Sequence, residues 1–531
     1  MNCGTLRLRY SSLSLAVIAV SLLISLSVFH PYPYDNVVTR WGLAERLVSQ
    51  GNISIDPWSG LTGDKAGYKG HYYSDKSFLP SAVAAISVIP LRFLNGISAP
   101  DAYPIGGIDR YIAERLTVSL ALLALLLLLR RYCKRDGLLP VIALGLGSIL
   151  LPYSTLLYTH VPAAMLFFAC YVTQRNGKYL ASDILGALAV SYEYTLLLPF
   201  LVMLLYRDRC YWNTWRGVRV LLVLLLAFLP QLTHNWIAFG SPFRMGYGLE
   251  VESSFPVASS GFFGFTYPTP QRLFMILFSP ERGIFFYMPW AALGFLGLSG
   301  GRDWLHRLRS DPLPVMVILY IVLYAAQNAT TAGWAYGQRY LIAIVPFLAL
   351  GLDRFAAGSN LRRSLAAAAV LPGIILALLG TFGELHLPVH PVGNPLPLPQ
   401  LNISLNMMLR GHHSTWLLGG AGTVLLSAAA LACWFAVMRK AGLRWISMMW
   451  IPPWLMLAVI SLGEDWGGKV DYYRGVLAHH RKEWDLAVEY YEKALEDESA
   501  PEIIRNRLMY VRSIAAQDKE YSNQPLPCGL D

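Results

Sequence analysis

The chain has 531 residues, 55% of them hydrophobic and only 14% charged, with a net charge of +10. Soluble chains carry nearer a quarter charged residues, so a string of soluble domains is excluded. Most Lys and Arg sit in short loops beside apolar runs, where they act as topology determinants rather than as a nucleic-acid surface.

The first apolar run, residues 11–29, follows Arg7 and Arg9 and precedes His30-Pro31-Tyr32 instead of a small-residue cleavage site. It reads as a retained first helix with a cytoplasmic N-terminus. Residues 30–111 then form the first external loop. Within it, 78–94 carries Pro80 and Pro90 and reads as an interface-lying or re-entrant helix. Residues 112–129 return to a cytoplasmic cluster of Arg130, Arg131, Lys134 and Arg135. Further runs near 138–157, 161–174, 216–237, 284–300, 313–328, 340–352, 364–382, 415–437 and 445–462 keep the alternation. Residues 181–206 are broken by Tyr192-Glu193-Tyr194 and read as two half-helices with a charged turn near the external side.

The expected fold is all-α: a polytopic transmembrane bundle of about eleven to thirteen spans, N-in and C-out, in the plasma membrane. External loop helices and a C-terminal helical hairpin complete it. Residues 1–463 form the transmembrane domain and 464–531 an external tail. The larger inter-span pieces, 30–111, 238–283, 329–339 and 383–414, all fall outside, so the chemistry is expected there.

In the tail, WDLAVEYYEKALE resembles the second helix of a tetratricopeptide repeat. Gly475, Ala487, Tyr491 and Ala494 occupy its small and aromatic positions. Residues 471–516 fit either an amphipathic hairpin resting on the external domain or a unit that docks a protein partner.

Several polar residues sit where chemistry could use them. Asp35 follows the first span by six residues and opens an amphipathic helix. It fits an N-cap, or a carboxylate at the membrane boundary that deprotonates an acceptor hydroxyl. Asp56 and Asp75 are weaker alternatives in the same loop. Lys76 lies where polar loop meets the apolar 78–94 segment, as a snorkelling cation or as a partner for a lipid phosphate. Glu193 is an ionisable group in mid-run, either functional or paired structurally with His160 or an arginine. Arg339, among Trp334, Tyr336 and Tyr340, suits bidentate phosphate recognition. Arg282 is a second candidate at the start of a returning span. Glu250-Val251-Glu252, His412-His413 and His479-His480 are weak metal signals, and the scattered cysteines lack ligand spacing. No metal or other cofactor is expected.

The order of these features resembles the GT-C class of membrane glycosyltransferases, which includes protein O-mannosyltransferases and aminoarabinose transferases. The resemblance rests on PYDNVVTRWGLAERLVSQGNISID, GHYYSDKSFLPS, FGSPFRMGY with SPERGIFFYMPW, and GWAYGQRYLIAIVPFLAL. It implies a polyprenyl-phosphate-linked sugar as donor, membrane lipid as the setting, and an external acceptor. Asp35 matches the family's first-loop catalytic acid, and Lys76 its first-loop lysine, although DKSFLP stands here for a lysine before two prolines. Arg339 and then Arg282 match its phosphate-binding arginines. Glu193, His160 and Tyr336 complete the candidate site. A transporter or flippase is the competing class, on the strength of the broken 181–206 segment and Glu193, but no inverted repeat is visible. A scaffold presenting the tail is a third.

Overall fold

Lipid supplies no hydrogen bonds, so backbone polar groups must be satisfied within the protein, and long Leu-, Ala- and Val-rich runs do this by coiling into helices. The computed structural model describes residues 3–30, 34–93, 106–133, 137–207, 214–251, 264–300, 304–328, 335–383, 419–440 and 483–496. Gly261, Ala332 and scattered positions between 471 and 516 are also described. The expected span 445–462, loop residues 384–414 with His412-His413, and Glu252, Gly333 and Trp334 lie outside the described residues.

The fold is an all-α polytopic bundle. Among the described residues, Gly107–Tyr132, Trp215–Phe239, Asn360–Phe382 and Ala421–Arg439 are long and apolar enough to cross a membrane. Other expected spans form shorter or broken helices. Residues 138–157, expected as one span, divide into Leu138–Gly145 and Leu150–Tyr153. The sequence Gly145-Leu146-Gly147-Ser148 offers little helical propensity, and neighbours satisfy the backbone it frees. Trp290 Nε1 donates to the Gly147 carbonyl at 2.6 Å, and the Ile149 N–H donates to Met288 Sδ at 3.4 Å. Residues 181–206 break as expected, with Tyr179–Tyr192 ending at Glu193, whose backbone is extended.

Helix α1 (Cys3–Ser27) delivers the chain to the first loop. A buried cluster fixes its end: Arg110 pairs with Glu114 at 2.6 Å and donates to the His30 carbonyl, while Arg115 donates to the Ser25 and Val28 carbonyls. Helix α2 (Asp35–Gln50) starts five residues beyond His30. Its polar face is also covered. Glu45 accepts from Trp58 Nε1 at 3.0 Å and Arg46 donates to the Ser54 carbonyl at 3.1 Å. The loop thus wraps over α2 and leads into an antiparallel hairpin, β1 (Lys65–Tyr68) and β2 (His71–Ser74). Helix α3 (Phe78–Arg92) follows and packs along α2.

The closest helix pair joins α4 (Pro289–Ser299) to α5 (Val345–Ala356). It has glycine on both sides: a Cβ on Gly294 would lie 2.2 Å from the Leu348 carbonyl, and one on Gly297 would lie 1.9 Å from the Gly351 carbonyl. Only glycine allows this backbone-to-backbone approach. In the tail, Ala487, Tyr491 and Ala494 of Trp484–Leu495 are fully buried, and the Tyr491 ring occupies the space a side chain on Gly475 would need.

Gly297→Val should therefore destabilise the protein by about 1–3 kcal/mol or more through overpacking. A thermal melt of the detergent-purified protein checks this, with Gly217→Val, where a side chain meets open space, expected to melt like wild type.

Candidate active site

The hairpin register creates the first element of the site. Lys65 pairs with Ser74, so the next positions outward, Asp64 and Asp75, face each other beyond the ladder. Two carboxylates opposed across a hairpin repel. Lys76 neutralises them. Its Nζ lies 2.5 Å from Asp75 Oδ2 and 3.1 Å from Asp64 Oδ2, and 5.1 Å from the centroid of the Tyr247 ring. With its side chain only 8% exposed, Lys76 is a buried ion-pair partner rather than a cation reaching for water. Burial opposes its charge, yet Asp64, Asp75 and Tyr247 outweigh that and hold the ammonium well above the ordinary lysine range. Burial pushes the Asp75 carboxyl up to about 7 against the pull of Lys76, with Asp64 and Glu250 adding to the rise.

Asp35 is the first residue of α2, one place inside the N-cap position held by Tyr34. Its Oδ1 accepts the Gly63 N–H at 3.1 Å, and its backbone carbonyl accepts the Thr62 hydroxyl at 3.0 Å. The Asp64 N–H in turn donates to Thr62 Oγ1 at 3.0 Å. Three consecutive residues, 62–64, therefore join Asp35 to Lys76.

A second bridge runs through Arg40. Its Nε donates to Asn36 Oδ1 at 3.1 Å, and Nη1 reaches the Ser77 hydroxyl at 3.4 Å and carbonyl at 3.5 Å. Ser77 donates to the Tyr192 carbonyl at 3.1 Å, which ties the loop to the helix break at Glu193. Sequence reading passed over Arg40 because it sits on what looks like the solvated face of an amphipathic helix. The available signal was its position five residues after Asp35, about one and a half turns along the same helix.

At the break, Glu193 Oε2 lies 3.1 Å from His160 Nδ1 and accepts the Thr159 hydroxyl at 3.1 Å. The expected His160 pairing is thus present, and the carboxylate keeps 18% side-chain exposure. The His160 ring stacks on Tyr158, with centroids 5.7 Å apart. Arg339 donates to the Tyr158 hydroxyl at 3.2 Å and lies 5.4 Å from the centroids of both Tyr158 and Tyr340. Its Nε has no hydrogen-bond partner among the described residues. Asp64 and Arg40 both lie within electrostatic range of the Tyr158 hydroxyl, and Lys76, Arg40 and Glu193 within range of Tyr247. First-loop residues and the later Tyr158, Glu193 and Tyr247 are thus brought within electrostatic range of one another.

Two further candidates are held by packing contacts of their own. Arg282 is fully buried, with Nη1 donating to the Glu281 carbonyl at 3.1 Å and Tyr287 beside it. Tyr336 points its hydroxyl away, to the Leu376 carbonyl at 2.7 Å, while its backbone contacts the Tyr153 hydroxyl. Asp56 serves the loop itself, accepting the Tyr72 N–H at 2.6 Å and facing His71 Nδ1 at 2.7 Å. Among the described residues, no three His, Cys, Asp or Glu side chains are grouped to hold a metal ion.

Among solved structures, the chain is similar to ArnT from Cupriavidus metallidurans in the apo state. That similarity has a TM-score of 0.44 and 16% identity, over 80% of this chain and 74% of that one. It is also similar to the same protein bound to undecaprenyl phosphate, with a TM-score of 0.46 and 16% identity, over 89% and 79%. No protein-family model and no curated protein matches the chain.

The raised Asp75 value fixes the sign of a pH effect. Unfolded, the carboxyl titrates near its ordinary value of about 4, so between there and about 7 the folded form binds the extra proton. Stability contributed by this group is complete below the lower value and is lost as the pH rises through the upper one. Asp75→Asn should therefore gain stability relative to wild type as the pH rises across that window. Paired melts across the window check this, and a constant difference would contradict it.

Proposed function

We propose that this protein is a membrane glycosyltransferase that transfers a sugar from a polyprenyl-phosphate donor to an acceptor on the external face. One observation supports the reading: a carboxylate and a lysine from the loop after the first helix are bridged to each other through residues 62–64, with Arg40 and Glu193 in the same electrostatic neighbourhood as the lysine. A donor of this kind needs a base for the acceptor and cations for the departing phosphate, beside an apolar path for its tail. The resemblance of the loop motifs to the GT-C class supports the same assignment.

In this reading the acceptor hydroxyl oxygen attacks the anomeric carbon of the sugar. The bond from that carbon to the phosphate oxygen breaks, and its electron pair leaves with the polyprenyl phosphate. Asp35 takes the acceptor proton. Its place at the N-terminus of α2 and the hydrogen bond from Gly63 orient the carboxylate and stabilise its charged form. Lys76, with Arg40 or Arg339, receives the charge that grows on the leaving phosphate. Preset cations in a low-dielectric chamber stabilise that charge without reorganising. Glu193 and His160 remain to bind sugar hydroxyls, and the tyrosine rings to pack against the sugar's apolar face. Arg282 and Tyr336 support the wall of the chamber rather than touching the substrate.

Asp35→Asn, an isosteric change that keeps the Gly63 hydrogen bond, should lower kcat by about 10²- to 10⁴-fold, the range for a lost general base. Membranes carrying this variant, assayed with a radiolabelled polyprenyl-phosphate sugar, check it; near-wild-type transfer removes Asp35 from the mechanism. Lys76→Ala should weaken donor binding roughly 10- to 100-fold, as expected for one charge-assisted contact. The transporter reading predicts instead that donor is moved across proteoliposomes with its sugar still attached.

A further inference from the structure

We propose that Asp64 is a positioning residue that occupies Lys76 in place of the donor phosphate and is displaced when the donor binds. The inference rests on the glycosyltransferase reading and adds to it a competitor for the phosphate cation. The two carboxylates on Lys76 are not equivalent. Asp75 has no side-chain exposure and lies 2.5 Å from Nζ, so it is a fixed partner. Asp64 lies 3.1 Å away with 32% of its side chain exposed, and so can leave towards water at little desolvation cost. A phosphate brought to Lys76 adds negative charge where two carboxylates already face one ammonium, and the more exposed carboxylate is the one to yield.

The chain around Asp64 gives this exchange a route to the reacting atoms. Asp64 closes the segment whose Thr62 hydroxyl and Gly63 N–H hold the backbone and carboxylate of Asp35. Filling the phosphate site and setting the base thus act on the same three residues. Asp64 has the chemistry of an anion stand-in: it keeps the buried ammonium paired while the site is empty, and gives it up to a stronger anion.

The experiment titrates undecaprenyl phosphate into the full-length protein in lipid nanodiscs, comparing wild type, Asp64→Asn, Lys76→Ala and the double variant. Removing the competing charge should tighten binding roughly three- to tenfold, the scale of one partly exposed ion pair, and lower the donor KM by a similar factor. The gain should vanish when Lys76 is also alanine. Asp64→Ser serves as a second charge-removing variant, and a gain in affinity is not something a damaged fold would produce. If wild type binds through Lys76 but neither Asp64 variant binds more tightly, this inference alone falls. If wild type does not bind, or binds equally well with Lys76→Ala, the assignment of Lys76 to the phosphate falls as well.

Discussion

An ammonium ion buried against a buried carboxylate is costly to assemble and costly to disrupt, because removing either charge strands the other away from water. Lys76 is such an ion, and much of the site's geometry follows from how the chain builds it. The two-stranded hairpin fixes Asp64 against Asp75, the residue after Asp75 supplies the cation, and the chain then enters α3 against α2. The same hairpin presents Thr62 and Gly63 to Asp35. A loop that reads as a run of polar residues is therefore a closed mechanical unit, anchored at one end by Asp35 and at the other by Lys76.

Around it, broken helices supply the rest. A membrane bundle can expose backbone and polar side chains at depth only where they line a protein cavity. At the interruptions near 147 and 336 the neighbours meet this need, since Trp290, Met288 and the Tyr153 hydroxyl take up freed backbone groups. The break at Glu193 also receives the first loop, through Ser77 on the Tyr192 carbonyl.

The sequence exposed some of this and concealed the rest for physical reasons. Apolar run length revealed the all-helical membrane class, since covering the backbone in lipid leaves few options. Tyr192-Glu193-Tyr194 was legible because a carboxylate in mid-run is costly unless paired, and its partner His160 was among those named. Two half-helices at 138–157 were not read, because Gly and Ser inside an apolar run are tolerated in many intact membrane helices. Arg40 and Asp64 stayed hidden for a different reason. A charged residue on an amphipathic helix or in a loop looks solvated until the chain that covers it is known. Tyr336 shows the converse: an aromatic beside a candidate arginine belonged to the packing, its hydroxyl committed to Leu376.

The glycine contact between Pro289–Ser299 and Val345–Ala356 sets a length scale for the site. Arg339 opens the 3-10 turn Arg339–Ile344 that runs directly into the second of these helices, twelve residues before Gly351. A backbone-to-backbone contact admits one register, because sliding by a turn would drive side chains into carbonyls. Such a slip would carry the guanidinium about 5.4 Å along the helix axis, well beyond reach of Tyr158. The glycines at this contact thus act as a depth gauge, setting how far along the bundle the Arg339 guanidinium sits from Tyr158.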